Sequence, residues 1–173
     1  MRKTSTTIDN MSLGNSKLGT DTLIFNMCSA LDCPSRKLGL CQLKNPSHCY
    51  ARKAEYLYPQ VLPYRNRQAK LWQGSILPII DNIRKAIKKY PYIRFFRFNE
   101  SGDFGNQNEV EKLKCLAMSF PAIKFYGYTA RKDLSFKSLP KNLCVNGSNW
   151  RRGKMNRLVV VDKPSGIYNA AVT

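Results

Sequence analysis

Cys28, Cys33, Cys41 and Cys49 follow one another with the spacing C-x4-C-x7-C-x7-C. Four thiols this close suggest a metal, because thiolates suit zinc, copper(I) or an iron–sulfur cluster. Structural zinc usually draws its ligands from close pairs two to four residues apart, and no C-x2-C pair occurs here. A 4Fe–4S cubane held by three or four thiolates suits a long wrapping loop. His48 is a substitute ligand, although its neighbour Cys49 is the better candidate. The competing reading is four reduced thiols packed as small apolar side chains. Cys115 and Cys144, remote in sequence, read as structural.

Two further groups of residues could do chemistry. Asn99-Glu100-Ser101-Gly102-Asp103-Phe104-Gly105 is a polar loop rich in turn formers. It either binds a ligand or caps the helix that follows. Tyr50, Tyr56, Tyr58, Tyr64 and Trp72 interleave with Arg52, Lys53, Arg65, Arg67 and Lys70. Such a stretch can stack bases on its aromatics while its charges track phosphates, or it can turn the aromatics into a core. Arg151 and Arg152 form a shorter basic patch beside Trp150. With one histidine, a Ser-His-Asp or Cys-His hydrolase is disfavoured. No Walker or Rossmann glycine fingerprint occurs.

The net charge is +18 over 173 residues. A field of that strength favours polyanions, nucleic acid and nucleotides first among them. An apolar content of 43% is enough for a core, which excludes wholesale disorder. The apolar runs Ile76–Ile80 and Leu158–Val161 are far too short to span a bilayer. Arg2 and Lys3 lead into threonines and serine, with no apolar signal segment after them. The expectation is a reducing, cytoplasmic setting and no membrane partner.

The elements that must position these residues follow from periodicity and breakers. Residues 1–20 read as a polar lead-in, and 21–173 as a single α/β domain with a metal-binding loop at 28–49. Strands are expected at 21–27, 92–98, 123–129, 143–146 and 158–162. Helices are expected from Cys49, with Pro59 and Pro63 as breaks before a stretch through Trp72, then at 76–90 and 109–120, and a short one at 131–139. Strand–helix alternation of this kind predicts a mainly parallel sheet, and the few units predict an open, partial βα barrel. The loops after Met27, Phe98 and Tyr128 should meet at the carboxyl ends of the strands.

Asn26-Met27, Cys33-Pro34, Cys41 and Cys49-Tyr50-Ala51-Arg52-Lys53 resemble the cysteine-rich opening of the phage gene product 88 family. Asn99 to Phe104 resembles that family's SGDF-type loop, and Phe125-Tyr126-Gly127-Tyr128-Thr129 its following aromatic strand. In plan the family is similar to radical S-adenosylmethionine enzymes, although their C-x3-C-x2-C spacing is absent here. The resemblance implies a cubane on Cys33, Cys41 and Cys49, with Cys28 as a candidate fourth ligand. It implies S-adenosylmethionine near Asn99, Glu100, Ser101, Gly102, Asp103, Tyr128 and Thr129. The expected protein is phage-encoded and sits in the host cytoplasm. It acts on or binds nucleic acid or nucleotides, with a host protein as a further candidate partner. The alternative is a non-enzymatic nucleic-acid-binding protein with a structural cluster or zinc.

Overall fold

The strand Thr22–Phe25 is buried along its whole length, with Leu23, Ile24 and Phe25 putting apolar side chains on both faces. It belongs to a sheet of seven strands whose order in space repeats their order in sequence. The computed structural model describes residues 6–8, 10–15, 17–41, 43, 45–148 and 157–158.

Strands β1 (Thr6–Ile8) and β2 (Met11–Leu13) form an antiparallel hairpin, with Asn10 in the left-handed region at φ +64°. The hairpin pairs antiparallel to β3 (Thr22–Phe25), opposing Leu13 to Leu23. The polar opening of the chain is thus part of the sheet, and its Ile8, Met11 and Leu13 are buried. From β3 onward every pairing is parallel: β4 (Phe95–Phe98), β5 (Lys124–Thr129), β6 (Leu143–Ser148) and β7 (Arg157–Leu158). Among the described residues the sheet is open, with β1 and β7 as its edges. Positions 159–162 of the last expected strand lie outside the described residues.

After β3 come a short helix α1 (Pro34–Lys37) and a single 3₁₀ turn (Pro46–His48). Three helices then follow: α2 (Tyr50–Leu57), α3 (Val61–Gln73) and α4 (Leu77–Lys89). Pro59 separates α2 from α3, and Pro63 is tolerated in the first turn of α3, where the backbone N–H groups have no helical partner. In α4, Ile79, Ile80, Ile83 and Ala86 are buried on one face, while Lys88 and Lys89 sit favourably at the C-terminal end of the dipole. Helix α5 (Gln107–Met118) is capped by Asn106, whose side chain accepts the Glu109 N–H at 3.2 Å.

Strands β4 and β5 alternate. Phe96, Phe98 and Phe125 turn to the helices, while Arg97, Tyr126 and Tyr128 turn to the opposite, more open face. Trp72 packs on Phe25 with ring centroids 6.2 Å apart, and Phe96 on Phe125 at 4.9 Å. Large aromatic groups of this kind carry much of the apolar burial. Gly127 allows the close fit of β5 on β4, since a Cβ there would lie 2.6 Å from the Phe98 carbonyl oxygen.

The short helix expected at 131–139 does not form. Arg131 instead binds both oxygens of Asp133, at 2.9 and 2.8 Å, and donates to the carbonyls of Phe104 and Gly105. These bonds fasten the segment to the loop after β4, a tertiary gain that outweighs one isolated helical turn.

Candidate functional site

The three polar loops after β3, β4 and β5 meet at the carboxyl ends of the strands and enclose a cavity of about 750 Å³. Its walls include Cys33, Cys41 and Cys49 from the first loop and Asn99 through Asp103 from the second. Tyr128 and Thr129 come from β5. Cys33 and Cys49 occupy the N-cap positions of α1 and α2, so the helices aim the loop at the cavity.

Asp103 ties the loops together. It is buried and accepts the Ser35 hydroxyl of α1, the Thr129 hydroxyl at 2.6 Å, and the N–H groups of Ala130 at 2.8 Å and Phe104 at 2.9 Å. Burial pushes its carboxyl above the ordinary range, while those four donors pull the other way. Asn26, directly after β3, makes a second tie. Its oxygen accepts the Ser101 N–H at 2.6 Å, and its amide donates to Gln68 of α3 at 2.8 Å. Glu100 accepts from Asn15 at 2.9 Å through its side chain and from the Tyr50 hydroxyl at 2.5 Å through its carbonyl.

Cys28 differs from the other three thiols in its setting. It is buried and is not part of the cavity wall. Gly102, at φ +82°, lies so close to it that a Cβ would meet the Cys28 sulfur and lie 2.7 Å from its nitrogen. Burial raises the Cys28 thiol to about 12 and the Cys33 thiol to about 11. Among the described residues, no three His, Cys, Asp or Glu side chains stand together closely enough to hold a single metal ion.

The family described as gene product 88 matches residues 2–165. The chain belongs to that phage family. Searches of curated proteins and of solved structures found no match. No helix among the described residues of this gene product 88 chain is long and apolar enough to cross a membrane.

The basic, aromatic stretch of the gene product 88 chain divides between surface and interior. Arg52, Lys53, Arg67 and Lys70 are exposed, and Tyr56 is 87% exposed. Arg65, expected among the residues that track phosphates, is a correction. It is buried, paired with Glu55 at 2.8 Å, and donates to the Ala51 carbonyl at 2.7 Å. Trp72 is likewise a core residue. Arg151 and Arg152 lie outside the described residues. Ser35, Gln68 and Glu55 shape the site without having been singled out from the sequence, and Asn26 was singled out only as part of the resemblance. A polar Asn directly after an apolar strand was the one local signal.

Proposed function

We propose that this protein is an iron–sulfur protein of radical-S-adenosylmethionine-like plan, with Cys33, Cys41 and Cys49 as cluster ligands, acting on nucleic acid or a nucleotide. The observation that carries the reading is convergence: three segments far apart in sequence supply one cavity with three thiols and a polar loop. On this reading the parallel strands β3 to β7 are an open, partial barrel whose working end is the rim of carboxyl ends. A single ion would draw thiolates to about 2.3 Å each and bring them almost into contact. The thiols among the described residues are not gathered that closely. When bound, an iron–sulfur cluster supplies one-electron chemistry to S-adenosylmethionine.

The chain's own residues have separable tasks in this scheme. Asp103 spends both oxygens on internal donors, so it positions the cysteine loop against β5 and is not itself free for a ligand. Glu100 and Tyr128 remain on the wall as polar and aromatic contacts. Exposed Arg52, Lys53, Arg67 and Lys70 supply the field that gathers a polyanion. The second reading is a non-enzymatic nucleic-acid-binding protein stabilised by a cluster or zinc, and the exposed basic face of α2 and α3 favours it equally.

Iron and sulfide analysis of anaerobically purified protein, with its visible spectrum, tests the proposal. A brown protein with near-equal iron and sulfide is expected, and S-adenosylmethionine should bind and be cleaved after dithionite. Zinc without sulfide would overturn the cluster. A cluster without cofactor binding would leave the second reading.

A further inference from the structure

The two arginines that are fully buried among the described residues come with carboxylates. Arg65 has Glu55 and Arg131 has Asp133, both at 2.8 Å. Arg97, half-buried on β4, makes no ion pair among the described residues. Its guanidinium lies over the Tyr128 ring, 5.8 Å from the centroid, and its Nε is sealed from solvent without an acceptor. A cationic donor left so costs free energy that a partner would recover.

The next two alternate residues repeat the pattern. Asn99 is 4% exposed, and neither atom of its amide has a partner. Ser101 is 2% exposed, and its hydroxyl has none. Six sealed side-chain polar atoms lack partners among the described residues, and four of them belong to Arg97, Asn99 and Ser101. All three residues line the one cavity. The remaining orphans, on Glu55 and Trp72, belong to residues outside its wall. Unsatisfied groups in a folded protein are few, so their concentration on one wall marks a place built for a ligand.

The chemistry of that ligand follows from the donors. One guanidinium, one amide and one hydroxyl share the wall, and the guanidinium lies over the Tyr128 ring. Of the two carboxylates there, Asp103 is consumed internally, while Lys17 and Arg36 add positive charge. We propose that Arg97, Asn99 and Ser101 form a subsite for an oxyanion, the phosphate or carboxylate end of a small organic substrate. The assignment rests on this cavity being the working site proposed above, and it does not need the cluster.

Calorimetric titration of the anaerobically purified full chain tests it, with inorganic phosphate in one arm and glutarate in the other. One saturable site is expected in at least one arm, and the arm that binds names the source of the oxyanion. Arg97→Gln should weaken binding at least tenfold. Arg84→Gln, which removes the same charge from the exposed face of α4, should leave it unchanged. Arg97→Lys and Ser101→Ala, gentler to the fold, should each weaken it at least threefold with the circular dichroism spectrum intact. Equal binding by Arg97→Gln and Arg84→Gln would reduce the effect to net charge and overturn the subsite, as would no saturable binding in either arm. Unchanged binding in both gentler variants would also overturn it. Displacement of the probe by S-adenosylmethionine would overturn the substrate assignment, since the oxyanion would then be the cofactor's. Iron content read on the same samples separates failure of the subsite from failure of the cluster.

Discussion

Asp103 accepts the hydroxyl of Thr129 at 2.6 Å across 26 residues of chain, and this bond joins the loop after β4 to the end of β5. Ser35 reaches the same carboxylate from the cysteine loop. One side chain therefore sets the relative position of the cavity's three walls.

Asp103→Ala should leave four donors facing a void: two hydroxyls and two backbone N–H groups. Each buried donor left unmade costs about 1–3 kcal/mol. The expected loss is at least ~3 kcal/mol in chemical denaturation, with part of it recovered by Asp103→Asn, which keeps one acceptor oxygen. A loss below ~1 kcal/mol would mean that the donors find other partners.

The Arg65–Glu55 pair is almost fully buried, and Glu55 also accepts the Ala30 N–H at 2.8 Å. It clamps α2, α3 and the start of the cysteine loop. Removing one member of such a pair leaves an uncompensated charge and costs about 3–5 kcal/mol. Arg65→Met should therefore destabilise the fold strongly, while Arg67→Met, on the exposed face, should stay within about 0.5 kcal/mol. Equal effects would place Arg65 at the surface after all.

Gly102→Ala imposes a side chain at φ +82° and drives it into Cys28. Backbone strain of this sort costs about 1–3 kcal/mol. The stability loss should fall in that range or above it, and a second change, Cys28→Ala, should return part of it by making room. Cys28→Ala alone is expected to keep whatever metal the purified protein holds, whereas Cys33→Ala, Cys41→Ala or Cys49→Ala should each lose it.

Thiol reactivity offers a pH test on metal-free protein. Cys28 and Cys33, raised by burial to about 12 and about 11, are protonated at pH 8 and should resist iodoacetamide. Exposed Cys115 and Cys144 should react first, as peptide mass mapping would record. Because the shifts are upward, reaction at Cys33 should begin only as pH approaches 11, and at Cys28 later still. Fast labelling of Cys28 at pH 8 would mean that the Gly102 contact opens readily.

The helices and the parallel strands were legible because their signals are local. Isoleucines at helical spacing, Pro78 near the start and Pro91 after the end mark α4. Alternating aromatics mark β4 and β5. The hairpin β1–β2 was hidden because three-residue strands carry too few alternations, although Ile8, Met11 and Leu13 around Asn10 held the trace. Arg65, Gln68 and Trp72 repeat at three and four residues and so share a buried helix face, a pattern the charge of Arg65 obscured. Segment 131–139 was misread because what holds it, the bonds from Arg131 to Asp133 and to the carbonyls of Phe104 and Gly105, is tertiary. For the site, the convergence of the three loops followed from the strand rule. The exclusion of Cys28 from the cavity wall did not, because the residue packed against it, Gly102, is 74 positions away.

Because the strands stand side by side in the order in which they are made, the cavity is walled one panel at a time during synthesis. The thiols of the first panel leave the ribosome with β3, long before Thr129 and Ala130 exist to close the ring around Asp103. A nascent chain therefore carries these cysteines unshielded until β5 has been made. Any cellular factor that guards those thiols, or loads them, has its widest access before β5 is complete and must contend with a closed wall afterwards.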